Sequence, residues 1–487
     1  MSNDILNLKP AGVWKNFLAI CEIPHPSGHT ADITKFLVDF GHKLGLETVV
    51  DETGNVMIRK PATPGMEDCK GVILQSHMDM VPQKNESTAH DFEKDPIKAY
   101  VDGDWVTAEG TTLGADNGIG MAAAMAILEA TDIQHGPVEA LFTLDEETGM
   151  YGAIGLKADL IKGSILLNLD SEDEGELFVG CAGGVNMTAS FQYKADLEIP
   201  EGDKAISISL TGLKGGHSGL DINLGRGNAN KLLFRFLKLA VTDYEARLAS
   251  VLGGTLRNAI PREAFAVITL PAEVVEDFMD EVADYETLLR SEFDGIEPNI
   301  RFEAKVTDLP ASLIPEEVQD DIINSIVGCF NGAVRMYPGM PSVVETSSNL
   351  AIVKSMDGMT EVRFLIRSLN EDQKFFLASS LQSVFTLGGA RVEFDGNYPG
   401  WDPNMDSPIL KLMEKVYQDQ FGKAPEVKII HAGLECGIIG SNVPGLDMIS
   451  FGPTIRHPHS PDEKINIGSV QKFWDFTVDV LKSIPKK

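Results

Sequence analysis

The chain has 487 residues, more than one hydrophobic core usually holds, so two domains are the starting expectation. Its hydrophobic fraction of 43% and charged fraction of 23% are typical of a soluble globular protein. The formal net charge of −31 argues against nucleic acid and anionic membrane surfaces as partners, because both would repel the chain.

The first residues, MSNDILNLKPAG, lack the basic start and apolar core of a secretory signal. No apolar run approaches the roughly 20 residues that span a bilayer. The five cysteines are scattered, odd in number and without a CxxC pair, which is typical of a reduced compartment. These features predict a cytoplasmic protein without a disulfide framework.

Helical and strand patterns alternate from about residue 12 to 185. Apolar residues three and four apart predict helices in WKNFLAICEI and ITKFLVDFGHKLGL, and GIGMAAAMAILEA predicts a small-residue helix. Short strands are predicted in NVMIRK, GVILQSH, VEALFTL and SILLNLD. This alternation predicts a three-layer α/β domain with helices packed on a largely buried sheet.

The pattern changes near residue 187. MTASFQYKADLEI and KAISISLTGL alternate with period two, followed by a long predicted helix, NANKLLFRFLKLAVTDYEARLASV. REAFAVITLP, a helix near 274–292, TEVRFLIRSL and ARVEFDG complete an α+β insert over 187–399. Helix and loop patterns then resume, so the first domain is predicted to be discontinuous, comprising 1–186 and 400–487. No internal repeat is visible.

Several predicted strands end in candidate ligands. GVILQSHMDMVP ends in His77 and Asp79, two residues apart and so on one face, where Asp79 can orient the His77 ring. LFTLDEETG ends in adjacent carboxylates that include Glu146 and Glu147, and LLNLDSEDEG ends in Asp170. Taken singly, each is also compatible with a solvated turn. If the strands are parallel neighbours, however, their carboxyl ends meet at one edge of the sheet.

Two further candidates lie in loops. Asp116, in the glycine-flanked GTTLGADNGIG, is either a helix N-cap or a carboxylate held against a cation. His457 and His459, in IRHPHSPDE, are solvated loop residues or a distal ligand. Two histidines and several carboxylates without a thiolate favour zinc, manganese or cobalt. The surplus of carboxylates predicts two ions sharing a bridging Asp, with one glutamate left as a base.

These motifs resemble a known family. SHMDMVP, GTTLGADNGIG, DEETGM, LNLDSEDEGE, GLKGGHSG, GGTLRNAIPREA, HAGLECG and PHSPDE are similar to those of the co-catalytic zinc peptidases related to carboxypeptidase G2, carnosinase and peptidase T. Within that group they most resemble the bacterial aminoacyl-histidine dipeptidases. The resemblance covers essentially the whole chain.

The resemblance implies roles for the candidate residues. Asp116 becomes the bridging ligand, His77 and Asp170 complete one zinc site, and Glu147 and His459 complete the other. It selects His459 over His457, makes Glu146 the general base and Asp79 the residue that orients His77. It also implies a cis peptide between Asp116 and Asn117.

In the insert, which corresponds to the family's lid and dimerisation domain, the resemblance implies substrate contacts. His217 would polarise the scissile carbonyl, and Asn258, Arg367 and, back in the catalytic domain, Gly433 would contact the substrate. Simpler interpretations remain: Asn258 caps the turn before Pro261, Arg367 forms a surface ion pair, and Gly433 is needed only by its loop backbone.

The resulting expectation is a zinc-dependent dipeptidase, a homodimer through the insert, that hydrolyses small Xaa-His dipeptides such as β-alanyl-histidine. It would use two Zn²⁺ ions per chain, with Co²⁺ or Mn²⁺ as substitutes. The alternatives are a related zinc amidohydrolase (an N-acyl-amino-acid deacylase or a tripeptide aminopeptidase) and a catalytically dead binding module on the same scaffold.

Overall fold

The computed structural model describes residues 2–487, which form two compact units. The first comprises the chain up to Cys181, Trp401–Ile429 and Leu434–Lys487, and the second comprises Ala182–Gly400 and Ile430–Gly433. The second unit thus begins slightly before the predicted insert. It also takes in a short later segment, because the Ala182 N–H donates to Ile430 O and Ala432 O.

The first unit is built from alternating helices and strands. Before the insert, its helices are α1 (Ser2–Leu6), α2 (Ala11–Cys21), α3 (Ala31–Lys43), α4 (Ala115–Glu129), α5 (Glu146–Gly149) and α6 (Tyr151–Gly155), with a 3-10 turn at Ala158–Leu160. Its strands there are β1 (Glu47–Val50), β2 (Val56–Lys60), β3 (Val72–His77), β4 (Ala99–Asp102), β5 (Trp105–Ala108), β6 (Val138–Thr143), β7 (Ile165–Asn168) and β8 (Glu176–Cys181).

The second unit is α+β, as predicted. Its strands are β9 (Gly183–Gln192), β10 (Asp203–Thr211), β11 (Gly216–His217), β12 (Arg247–Gly253), β13 (Ala259–Ile260), β14 (Ala264–Pro271), β15 (Arg301–Thr307), β16 (Gly332–Met336), β17 (Val344–Met356), β18 (Met359–Ser368) and β19 (Arg391–Tyr398). Its helices are α7 (Ala229–Tyr244), α8 (Val275–Glu292), α9 (Glu316–Gly328) and α10 (Glu371–Leu387), with a 3-10 turn at Ala272–Val274.

The chain then returns to the first unit. The remaining elements are α11 (Pro408–Phe421), β20 (Glu426–Ile430), α12 (Glu435–Asn442), β21 (Asp447–Ser450), β22 (Ile455–Arg456), β23 (Lys464–Asn466) and α13 (Ile467–Ser483). No helix within residues 2–487 has both the length and the apolar character needed to cross a membrane. The five cysteines are buried and free of disulfides.

The main sheet of the first unit has the order β1-β2-β6-β3-β7-β21-β8-β20. The central pairs β6-β3, β3-β7 and β7-β21 are parallel. Every residue of β3, β6 and β7 is buried, although successive side chains point to opposite faces of a sheet. Both faces are therefore covered, which confirms the predicted three-layer α/β architecture.

The sheet of the second unit has a mirrored order, β15-β10-β14-β12 followed by β17-β18-β9-β19. Apart from short strands, each half has the element order strand, helix, two strands, helix, strand: β10-α7-β12-β14-α8-β15 and β9-α9-β17-β18-α10-β19. The unit is thus a structural duplication, joined through β12 and β17, which no repeat in the sequence indicates.

One predicted helix is too long. NANKLLFRFLKLAVTDYEARLASV was expected to be helical throughout, but α7 ends at Tyr244. Glu245 adopts a left-handed conformation (φ 55°) that stops the helix, and Arg247–Gly253 forms β12. The helix expected near 274–292 is confirmed as α8.

Candidate active site

The candidate ligands lie at one edge of the main sheet. β6, β3 and β7 are adjacent and parallel, so their carboxyl ends are together. His77 is the last residue of β3, Glu146 and Glu147 begin α5 just after β6, and Asp170 follows β7. The prediction that these strand ends meet is confirmed.

Asp116 lies between the two histidines. His77 Nε2 is 3.1 Å from Asp116 Oδ1 and 3.3 Å from Asp170 Oδ1. On the other side, His459 Nε2 is 3.2 Å from Asp116 Oδ2 and 3.0 Å from Glu147 Oε1. Each oxygen of Asp116 therefore contacts a different imidazole.

Three groups of described residues have donor atoms within 4.8 Å of one another. They are His77/Asp116/Asp170, His77/Glu146/Glu147 and Asp116/Glu147/His459. His457 belongs to none of these groups, so the structure distinguishes the two loop histidines that sequence reasoning alone left open.

The backbone around Asp116 is irregular. α4 begins at Ala115, yet Asp116 has non-helical dihedral angles (φ −87°, ψ 104°). The Asp116–Asn117 peptide bond is cis, as the resemblance implies. The N-cap of α4 is Gly114, in a left-handed conformation (φ 71°) that favours glycine. The carboxylate of Asp116 faces the two histidines and accepts no backbone N–H of α4 among the described residues, so it does not cap the helix.

Asp79 contacts more than His77. His77 Nδ1 lies 3.0 Å from the main-chain oxygen of Asp79 and 3.4 Å from its carboxylate. The Asp79 carboxylate accepts the backbone N–H groups of Glu146 (2.9 Å) and Glu147 (3.3 Å) and the hydroxyl of Ser27 (2.7 Å). Asp79 thus fixes the strand-end glutamates as well as facing the histidine ring.

Burial and close packing shift the acidity of these groups. Burial raises the pKa of Glu146 well above its usual value and that of Asp170 to about 6. Burial alone would also raise the pKa of Asp116, but its hydrogen bonds with His459 and His77 have the larger combined effect and lower that pKa. The hydrogen bond with Asp116, and then the adjacent carboxylate of Glu147, raise the pKa of His459 to about 11. A positive charge beside Asp116 and Glu147 is therefore stabilised.

A buried polar layer lies beneath the ligands. Glu435 accepts hydrogen bonds from Gln75 Nε2 (2.6 Å) and Thr143 Oγ1 (2.8 Å), and Asn168 Nδ2 donates to Gln75 Oε1 (2.5 Å). Gln75 and Asn168 each precede a ligand by two residues, on β3 and β7. Burial raises the pKa of Glu435 to about 7. This layer ties the three strands together directly under the site.

The donor set fits metal ions. Imidazole nitrogens and carboxylate oxygens without a thiolate suit zinc, manganese and cobalt. Glu147 Oε1 is buried and makes no hydrogen bond of ordinary geometry with a described residue, although His459 Nε2 is 3.0 Å away. An ion held between these donors would satisfy that oxygen.

His217, in the second unit, presents a defined tautomer. Its Nδ1 accepts the backbone N–H groups of Gly219 (3.1 Å) and Leu220 (3.0 Å). Burial, reinforced by Arg367, lowers the pKa of His217 to about 4, so the ring is neutral at pH 7. Because Nδ1 accepts, the single ring proton is on Nε2, which is then a hydrogen-bond donor.

Arg367 is 5% exposed, so the alternative of a surface ion pair is wrong. Its guanidinium donates to Tyr398 Oη (2.9 Å) and to Ser218 Oγ (3.4 Å). It forms no ion pair with a carboxylate of residues 2–487. A buried guanidinium that donates to hydroxyl groups is suited to binding an anion.

The other two predicted contacts also belong to the second unit. Asn258 accepts the Ser218 N–H through its main-chain oxygen (2.9 Å), and its exposed side chain makes no hydrogen bond to a described residue. Gly433 lies in the loop between β20 and α12. By its contacts this loop belongs to the second unit, although Gly433 was expected in the catalytic domain.

Sequence reasoning gave no role to Glu463, which accepts four backbone N–H groups of the Asp116 loop. The only signal for it was its place in the motif PHSPDE. Ser27, which holds Asp79, was also missed, because a lone serine in a loop carries no pattern.

Comparison with known proteins assigns the chain to the peptidases: a family model described as peptidase family M20/M25/M40 matches residues 73–483. The chain belongs to peptidase family M20/M25/M40. It is an enzyme that hydrolyses peptide bonds, and its family is metal-dependent.

Two similar proteins match the full chain. The cytosol non-specific dipeptidase of Escherichia coli K12 is 46% identical over 486 residues, covering 100% of both chains. The crystal structure of aminoacylhistidine dipeptidase from Vibrio alginolyticus has a TM-score of 0.94 and 48% identity, again over 100% of both chains. Aminopeptidase PepT from Bacillus cereus, at 16% identity and a TM-score of 0.57 over 98% of this chain and 99% of its own, shares the fold.

Proposed function

We propose that the protein is a dipeptidase that hydrolyses Xaa-His dipeptides such as β-alanyl-histidine at a two-metal site. The observation that carries this proposal is the position of Asp116, whose two oxygens face His77 and His459 separately. The similarity to the aminoacylhistidine dipeptidase of Vibrio alginolyticus supports the substrate class.

His77, Asp116 and Asp170 would hold one ion, and Asp116, Glu147 and His459 the other. The donor types and the resemblance favour two Zn²⁺ ions, with Co²⁺ or Mn²⁺ as substitutes. Ions bound there lower the pKa of a water molecule toward about 7 and stabilise negative charge on a substrate oxygen.

Glu146 is the general base of this proposal. It takes the proton of the attacking water and delivers it to the leaving amine, a transfer worth roughly 10²–10⁴ in rate. Its main chain is held by Asp79, and its partly buried carboxylate lies beside His77 and Glu147. It is thus held close to the ligands.

The second unit supplies substrate contacts in this proposal. The Nε2–H of His217 donates to the oxyanion that forms from the scissile carbonyl. Arg367 pairs with the terminal carboxylate of the dipeptide. Asn258 and Gly433 contact the peptide backbone of the substrate.

We also propose a cytoplasmic homodimer. The five free, buried cysteines and the name of the Escherichia coli relative support the compartment. The dimer would form through the second unit, where the cross-strand neighbours Leu252 and Phe265 are 49% and 38% exposed. Sedimentation of the purified protein, compared with the Leu252→Glu variant, tests it: a wild-type monomer contradicts the dimer.

The proposed activity is tested by hydrolysis of β-alanyl-histidine before and after metal removal, and again after zinc is added back. We expect activity to disappear and to return with about two ions per chain. A panel of other dipeptides and N-acyl amino acids should run in parallel, because the relative's name, non-specific dipeptidase, favours a wider range. Turnover of acylated amino acids without turnover of dipeptides contradicts the proposal.

A further inference from the structure

Glu463 is a buried carboxylate bound entirely by backbone. It follows His459 by four residues and is 2% exposed. Its Oε2 accepts the N–H groups of Leu113 (2.7 Å) and Gly114 (3.0 Å). Its Oε1 accepts those of Ala115 (2.8 Å) and Asp116 (3.2 Å). Four consecutive amides of one loop thus converge on one side chain of another.

The four amides need this partner. Two of them precede α4 and two belong to its first turn, where the N–H groups have no acceptor within the helix. Gly114, the N-cap, has no side chain to supply one. Glu463 therefore acts as the cap of α4, from a segment more than three hundred residues away in the sequence.

The two segments joined in this way each carry ligands of the same group. The capped loop carries Asp116, and the segment of Glu463 carries His459, whose Nε2 lies 3.2 Å from Asp116 Oδ2. His459 is half-exposed, has a left-handed backbone (φ 58°) and lies between the short strands β22 and β23, which pair with each other. The bonds of Glu463 add a direct connection from this segment to the backbone of Asp116.

We propose that Glu463 is a positioning residue that holds Asp116 and His459 at the separation required for the ion of the Asp116/Glu147/His459 group. It touches neither substrate nor ion, and acts through the backbone of Asp116. This inference rests on the proposed two-metal site. It adds that one of the two ions depends on a residue outside the ligand set.

The test compares Glu463→Gln with a matched control, Glu297→Gln. Glu297 is also 2% exposed and accepts backbone N–H groups, those of Lys214 (2.8 Å) and Gly227 (3.0 Å), but in the second unit. Zinc affinity and stoichiometry are measured by competition with a chromogenic chelator. Thermal unfolding of the metal-free proteins is measured in parallel.

We expect E463Q to bind one of its two ions about 10–100-fold more weakly, because an amide NH₂ replaces one of the two acceptors. E297Q should bind both ions as the wild type does, even if its unfolding temperature falls as far. Wild-type affinity for both ions in E463Q overturns the proposal, as does an equal loss in E297Q.

Uptake of no zinc by the wild type contradicts the two-metal site itself, and so is distinguishable from failure of this inference. Should E463Q not fold, Glu463→Asp is used instead, because it keeps a carboxylate on a side chain one methylene shorter. Wild-type affinity of that variant for both ions then overturns the proposal.

Discussion

The backbone N–H of Glu146 donates to the carboxylate of Asp79 at 2.9 Å. Asp79 follows the strand that ends in His77, and Glu146 follows the neighbouring strand, so this bond joins two strand ends. The neighbouring N–H of Glu147 reaches the other oxygen of Asp79 at 3.3 Å. Asp79 therefore sets the position of the proposed base and of an adjacent ligand at once.

Asp79→Asn should lower kcat by about 10–100-fold while leaving zinc content near that of the wild type. The amide removes one acceptor from the two glutamate N–H groups, whereas the bond from His77 Nδ1 to the main-chain oxygen of residue 79 persists. The measurement is steady-state kinetics together with metal analysis.

Asp447→Asn is the control for that variant. Asp447 accepts Ser407 Oγ (2.5 Å) and Ile409 N (2.9 Å) at the start of β21, the opposite end of the sheet. It should keep wild-type kcat. If D79N instead loses zinc and regains full kcat when zinc is restored, Asp79 acts through His77 rather than through Glu146.

Glu146→Gln and Glu147→Gln should separate chemistry from metal binding. E146Q should retain both ions and lose at least about 10²-fold in kcat, because the proton acceptor is gone. E147Q should lose one ion, because Glu147 is a member of the group with Asp116 and His459. Zinc content and single-turnover rates of the two variants check this, and substantial turnover by zinc-loaded E146Q identifies a different base.

The sequence predicts the sheet-end site because buried strands that end in polar residues are a local pattern. His77, Glu147 and Asp170 were found in this way, and their strands are indeed parallel neighbours. The duplication of the second unit was not predictable, because it is a property of strand order that leaves no repeat in the sequence. The end of α7 was missed because Glu245 carries no stop signal, although its backbone is left-handed.

The role of Glu463 was also not predictable. Its partners are backbone amides, which have no residue identity, and they lie about 350 residues earlier in the chain. By contrast, the choice of His459 over His457 came from the family motif, and of these two histidines the structure places His459 beside Asp116.

Arg367→Lys should raise KM for a dipeptide by about 10–100-fold, because lysine cannot replace a paired guanidinium–carboxylate contact. A dipeptide with a C-terminal amide should be a poor substrate of the wild type, and its KM should be no higher for R367K. Comparing both enzymes on both substrates isolates the contact. Arg363→Lys, on the same strand but paired with Glu361, should behave as the wild type on both substrates. An equal KM increase for acid and amide contradicts the carboxylate contact.

His431 should make the stability of the second unit depend on pH. It is 6% exposed, its Nε2 lies 2.7 Å from Ser347 Oγ, and burial, with Arg367 and His217 nearby, lowers its pKa to about 3. The unfolded chain, with a pKa near 6.5, takes up this proton first. The contribution of neutral His431 to the free energy of unfolding is therefore fully present above about pH 6.5 and is lost as the pH falls toward 3. At pH 5 this contribution is smaller by about 2 kcal/mol.

His431→Gln removes that proton uptake and keeps a hydrogen-bond partner for Ser347. The free energy of unfolding of metal-free protein, from urea titrations at pH 7 and pH 5, should fall by about 2 kcal/mol less in H431Q than in the wild type. Metal-free protein is required, because loss of ions in acid would otherwise add to the difference. His217, whose pKa is also lowered, titrates in both proteins and cancels in the comparison.

His42→Gln, an exposed substitution in the first unit, should keep the wild-type dependence of stability on pH. If H431Q and the wild type lose the same stability between the two pH values, His431 is not neutral in the folded protein.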